Sequence, residues 1–348
     1  MEYLADYALF LAKSITVLVV VLVIIVAMAN AAQRGRRPFD SGRIETRRLN
    51  DVLDDMRDAL RSVAFDEKTL KKMVKDEAKA EKARRKAEEK GEATRPRTWV
   101  IAFDGDIAAS AVRALRNEVT AILTLAEPGD EVLACIESPG GMVHGYGLAA
   151  SQLHRLRAAE GVSLTVAVDK VAASGGYMMA CIGERILAAP FAIVGSIGVV
   201  AQVPNVHKLL KKNDVDVDVI TAGEFKRTLT VFGENTEKGR EKFVEEIEDV
   251  HRLFKAHVAE HRPALDIERV ATGEAWHGRQ AIDLGLVDEL MTSDEYIVTA
   301  CAEREVYEVK WTEPKSAMDR FVQQAAQSAG TSVERLILRW RDRFNWVG

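Results

Sequence analysis

The stretch Glu131-Val132-Leu133-Ala134-Cys135-Ile136-Glu137-Ser138-Pro139-Gly140-Gly141-Met142-Val143 passes from an apolar, strand-like run through a glycine-rich turn into a helical pattern reaching Ala159. The same order recurs downstream. Leu164 to Val168 reads as a strand, Val171-Ala172-Ala173-Ser174-Gly175-Gly176-Tyr177 as a turn, and a short apolar helix follows Ser174. Further out, Trp99 to Phe103 reads as a strand and Ala108 to Leu125 as an amphipathic helix. More strands are expected at Arg185 to Ala188 and Val215 to Thr221, and a long helix from Glu237 to His261. This alternation predicts an α/β fold with a largely parallel sheet. No repeat of solenoid period is evident.

In such folds the working residues sit on loops at strand ends. Neither glycine turn fits GxGxxG or GxxxxGK[ST], so nucleotide phosphate is not the ligand they indicate. Both can present backbone N–H groups at a helix start, which is what an oxyanion needs. Ser174 lies among small residues that admit a substrate backbone, where the helix dipole favours developing negative charge. The competing local reading is a serine N-cap, the commoner role at such a position.

A serine nucleophile needs a base. The histidines are His144, His154, His207, His251, His257, His261 and His277. His154, His251, His257 and His261 fall on helices that read as surface elements, and none forms a strand-end Asp/His arrangement, so a Ser-His-Asp triad is unsupported. Lysine remains. Lys226, in TAGEFKRT (221–228), follows a predicted strand and a glycine. A free lysine has a pKa of about 10.4, and burial must lower it by about 3 units, roughly 4 kcal/mol, before it serves as a base. Taken alone, Lys226 also reads as a surface lysine.

The chain has 348 residues, a soft prior of roughly two units. Its 47% apolar content excludes disorder of the whole chain, and its net charge of −5 argues against a dedicated nucleic-acid binder. Cys135, Cys181 and Cys301 are far apart with no CxxC, so neither a zinc site nor a disulfide framework is indicated, and each reads as a small buried apolar side chain. No cofactor or metal motif is visible.

From Ser14 to Gln33 no residue is charged, and Val17 to Val26 is wholly Val, Leu and Ile. A helix of that length reaches roughly 30 Å, enough to cross a bilayer. Ala29-Asn30-Ala31 resembles a signal-peptide cleavage site, but Arg34, Arg36, Arg37, Arg43, Arg47 and Arg48 follow the span against Lys13 before it. That flank points to an uncleaved anchor with the following segment cytoplasmic. Leu49, Val52, Leu53, Met56, Leu60 and Val63 recur at helical spacing. Asp66 to Arg97 carries 12 basic and 8 acidic residues, a solvated helix or flexible stalk. The expected organisation is a tail (1–13), a transmembrane helix (14–33), an amphipathic and charged stalk (34–97), a catalytic domain (98–312) and a basic, aromatic C-terminal helix (313–348).

The turns carry a resemblance. ESPGGMVHGYGLAASQLHRLR (137–157), VDKVAASGGYMMAC (168–181), APFAIVGSIGVV (189–200), GEFKRTLT (223–230), GENTEKGREKF (233–243) and GRQAIDLGLVDEL (278–290) follow one another in the order found in the signal peptide peptidase SppA/SohB family of serine proteases. The chain resembles that family almost end to end. The resemblance implies a ClpP/crotonase-like spiral of ββα units and a membrane-anchored serine endopeptidase acting on hydrophobic peptides, signal-peptide remnants or membrane-protein fragments. It further implies Ser174 as nucleophile, Lys226 as general base, Ser196 positioning the lysine, and the backbone N–H groups of Gly141 and Gly175 as the oxyanion hole. It implies homo-oligomers whose active sites are shared between subunits, and a bacterial inner-membrane protein facing the envelope side, opposite to the charge rule. Tyr177 to Ile182, Ile193, Val194, Ile197 and Val199 are expected to line an apolar groove or to pack as core. Two rival functions fit the same turns: an acyl-CoA hydratase or isomerase, and a non-catalytic scaffold.

Overall fold

The computed structural model describes residues 11, 13–17, 42–89 and 95–313. The chain divides into two compact units, Ile44–Trp311 and a second made of Met1–Arg43 with Thr312–Gly348. Among the described residues no helix is long and apolar enough to cross a membrane. The expected span at Ser14 to Gln33 lies almost wholly outside the described residues, as does the expected C-terminal helix.

The elements run β1 (Arg43–Arg48), α1 (Leu49–Ala64), α2 (Glu67–Glu89), β2 (Arg97–Asp104), α3 (Val112–Leu123), β3 (Glu131–Glu137), α4 (Val143–Arg157), β4 (Ser163–Val168), β5 (Val171–Ala173), α5 (Gly175–Ala180), β6 (Arg185–Ala188), β7 (Ile193–Gly195), α6 (His207–Lys212), α7 (Glu237–His261), α8 (Ile267–Val270), β8 (Ala275–His277), α9 (Gly278–Ala281), β9 (Glu289–Leu290), α10 (Ser293–Glu303) and β10 (Glu305–Thr312). The large sheet has the order β1-β10-β2-β3-β4-β6-β9, and every pair from β10 to β9 is parallel. A smaller sheet, β5-β7-β8, pairs β5 with β7 in parallel and β7 with β8 antiparallel. The chain thus passes from a large-sheet strand to a small-sheet strand to a helix: β4, β5, α5, then β6, β7, α6. This is the ββα order that the resemblance implied.

Side-chain alternation sorts the two faces of the large sheet. Trp99, Ile101 and Phe103 of β2, Val132, Ala134 and Ile136 of β3, and Leu164, Val166 and Val168 of β4 enter the main core with Leu115, Tyr146, Leu153 and Phe254 from the helices. Val100, Leu133, Ala167 and Leu187 face the other way, under Tyr296, Ile297 and Ala300 of α10 and Leu49 of α1. Asn50 secures that second layer. Its Nδ2 donates to the carbonyls of Cys301 and Arg304 (3.1 and 3.0 Å), and its Oδ1 accepts from Val306 N (2.8 Å). Beyond this first turn α1 leaves Met56, Leu60 and Val63 exposed. The charged run is helical over α2.

Val215 to Thr221 does not form the expected strand. Its alternation of valine and aspartate suits a half-buried strand, but no strand of the described residues pairs with it. Val215, Val217, Val219 and Ile220 all stay exposed. Extended backbone needs a ladder to satisfy its N–H and C=O groups, so periodicity alone does not make a strand.

Candidate active site

Ser174 occupies the corner between β5 and α5, with φ 52° and ψ −117°. That is the conformation of the first central residue of a type II′ turn, ordinarily glycine's, and it costs of order 1–3 kcal/mol for a serine. The surroundings hold it there. Ser174 N donates to Gly195 O (2.8 Å), and Ser174 O accepts from Met178 N (2.9 Å). The side chain makes no capping hydrogen bond to the helix it precedes, so the N-cap reading does not describe this serine.

Two glycine turns close around the corner. A Cβ on Gly140 (φ +92°) would lie 2.7 Å from Ser174 Cβ, and one on Gly175 would lie 2.3 Å from the Tyr146 ring. Tyr146 is fully buried and braces both turns. Its hydroxyl donates to Asp106 O (2.7 Å) and therefore accepts from Ser138 Oγ (2.5 Å), which in turn accepts from Gly140 N (3.1 Å). Burial pushes the Tyr146 phenol above its ordinary range, so it remains a donor. Among the hydrogen bonds of the described residues, none uses the N–H of Gly141 or of Gly175.

These residues open onto a cavity of about 730 Å³, within the usual range for ligand sites. Gly141, Ser174, Gly175 and Ser196 all line it. Ser196 (φ 53°) shares the left-handed backbone of Ser174, its N–H donating to Glu274 O (2.6 Å). Met178 and Val199 supply apolar wall, whereas Tyr177, Ile182, Val194 and Ile197 are buried core, so most of the expected groove residues pack inside. Lys226 is not brought to the cavity. It is exposed, in an irregular segment where its N–H closes a turn onto Gly223 O (3.2 Å).

Sequence reasoning missed His251. It lines the cavity from α7, and its Nε2 is buried without a hydrogen-bond partner. His261 is buried and His257 half-buried, so three of the four histidines expected on surface helices face inward. The available signal was spacing: His251, Phe254, Val258 and His261 recur at intervals of three and four, marking the inner face of α7.

A strained serine beside two unengaged N–H groups, at the mouth of a cavity, is an arrangement suited to a serine hydrolase. The chain belongs to peptidase family S49 and is a serine peptidase: residues 2–153 match Peptidase family S49 N-terminal and residues 157–307 match Peptidase family S49. It is 49% identical, over 96% of both chains, to the "Probable protease SohB" of Haemophilus influenzae. It is 51% identical to the protein of the same description from Buchnera aphidicola subsp. Acyrthosiphon pisum, over 65% of this chain and 67% of that one. A solved mutant of the 1510-N membrane-bound stomatin-specific protease, in complex with a substrate peptide, covers 68% of this chain and all of its own at 11% identity and a TM-score of 0.41.

Proposed function

We propose that the protein is a membrane-anchored endopeptidase that cleaves hydrophobic peptides through a Ser174/Lys226 dyad completed between subunits. The observation that carries this reading is the convergence of Ser174, Gly141 and Gly175 at one cavity, the two N–H groups having no acceptor among the described residues. Ser174 Oγ attacks the peptide carbonyl while neutral Lys226 takes its proton, later returning it to the leaving amine. The N–H groups of Gly141 and Gly175 receive the oxyanion of the tetrahedral intermediate. Ser196, on the cavity wall, orients the lysine amine.

In a lone protomer Lys226 lies in water. A neighbouring subunit that covers it supplies the desolvation a lysine base needs. The segment carrying it favours such a contact: Val200, Leu209, Ile220 and Phe232 are exposed around it in sequence, at 84%, 60%, 93% and 55%. The uncharged run from Ser14 to Gln33 is the proposed bacterial inner-membrane anchor.

The test uses detergent-solubilised full-length protein and quenched hydrophobic peptides. Ser174→Ala and Lys226→Ala are each expected to abolish cleavage without altering assembly. Full activity in either variant overturns the dyad.

A further inference from the structure

Behind the cavity, three helices bring one cysteine and three histidines together. Cys181 caps the C-terminus of α5 and is fully buried. His257 and His261 sit one turn apart on α7, and one donor atom from each of the three residues lies within 4.8 Å of the others. His154 reaches the group from α4, its Nδ1 3.3 Å from His261 Nε2.

Hydrogen bonding fixes both α7 rings. A carbonyl oxygen can only accept, so His257 Nε2 donates to Met178 O (2.9 Å) and His261 Nδ1 donates to His257 O (2.8 Å). This leaves Nδ1 of His257 as an unprotonated nitrogen and Nε2 of His261 as the acceptor of His154 Nδ1–H, a hydrogen bond that a shared ion would replace. Metal-ligating histidines are held in this way, one ring nitrogen tied to a carbonyl and the other free for the ion. The 3.3 Å between His154 Nδ1 and His261 Nε2 equals the edge of a tetrahedron with zinc–nitrogen bonds of roughly 2.0–2.1 Å.

We infer that Cys181, His257 and His261, with His154 as fourth ligand, form a binding site for a divalent transition metal, Zn²⁺ by its chemistry. One thiolate and three imidazoles make a borderline-soft donor set that suits zinc over the hard oxygen-seeking cations. The three inner donors lie within 4.8 Å of one another, so closing them to tetrahedral edges of about 3.3–3.6 Å takes a contraction of at most about 1.5 Å, within reach of side-chain rotation. The ion enters past His154, which is exposed, and the thiol proton leaves to solvent as the sulfur–metal bond forms. Coordination would tie α4, α5 and α7 together. Met178 of α5 and Phe254 of α7 line the cavity one turn away from these ligands, so the ion braces its floor.

The experiment titrates chelator-stripped full-length protein in detergent with Co²⁺ alone, then displaces it with Zn²⁺. The expected result is one equivalent of Co²⁺ per chain, with intense tetrahedral visible bands and a thiolate-to-metal charge-transfer band that Zn²⁺ erases. Cys181→Ser should remove the charge-transfer band. His257→Gln and His261→Gln should each weaken binding by more than the roughly 10–100-fold that loss of an outer-shell partner costs. Thermal unfolding of the metal-free variants checks that they fold. Co²⁺ binding without a thiolate band in the wild type overturns the inference whatever the variants do. So does unchanged affinity in a folded His257→Gln/His261→Gln double variant.

Discussion

Gly141→Ala tests the oxyanion hole most directly. A Cβ at position 141 would stand 2.2 Å from Ile107 O, a backbone atom, and 2.7 Å from Ile107 C and Cα. The same carbonyl accepts the hydrogen bond of Met142 N at 2.8 Å, so it cannot simply swing aside. Restoring ordinary contact at 3.4 Å means opening the turn by about 1.2 Å. An oxyanion donor works only at about 2.7–3.1 Å, so a displacement of that size removes it, at roughly 10²–10³-fold in kcat, or about 2.7–4 kcal/mol. Overpacking of this kind costs about 1–3 kcal/mol of stability, which thermal unfolding reports separately. Gly147→Ala is the matched control. It lies within α4, nothing stands within 4 Å of its added Cβ, and alanine is favoured over glycine in a helix by roughly 0.5–1 kcal/mol. Steady-state kcat and KM on a hydrophobic peptide should fall in kcat for the first variant and stay at wild-type values for the second. A folded Gly141→Ala protein with wild-type kcat would refute the oxyanion assignment.

Co-assembling Ser174→Ala with Lys226→Ala protomers should restore about a quarter of wild-type activity if serine and lysine meet across a symmetric interface at random; no recovery at all means that each protomer supplies both groups. His251→Gln is expected to leave the pH dependence of kcat unchanged, since the proposed base is Lys226; disappearance of the acid limb, where a base loses activity by taking up a proton, would transfer that role to the histidine. Asp130→Ala should cost about 3 kcal/mol or more in chemical denaturation. Its carboxylate is buried, and although burial alone would raise its pKa, donation from Glu127 N, Arg97 and Trp99 Nε1 holds it below the ordinary range. The contribution of a carboxylate so depressed is complete above the unfolded-state pKa of about 3.9 and fades as pH falls through the lower folded value. The gap between wild type and Asp130→Asn should therefore narrow in acid, and a gap that widens there contradicts the assignment.

The core strands and the long helix were legible because each carries its own periodicity. Glu237 to His261 was bounded at both ends by Thr236, whose side chain caps Gly239 N, and by the change of pattern at Arg262. Val215 to Thr221 carried an equally good strand pattern and failed, because a strand is a relation between two segments and no strand among the described residues pairs with it.

The strand–turn–helix units, the glycine turns at positions 140, 141 and 175 and the serine between small neighbours were readable residue by residue, since they follow from local sterics and side-chain alternation. Long-range packing, by contrast, sets Ser196 and Gly141 in one cavity with Ser174, turns His251 toward it, and gathers Cys181, His154, His257 and His261 behind it. Such meetings depend on the order and register of parallel strands joined by crossovers. That order is set by how whole faces pack, which no single window of residues contains.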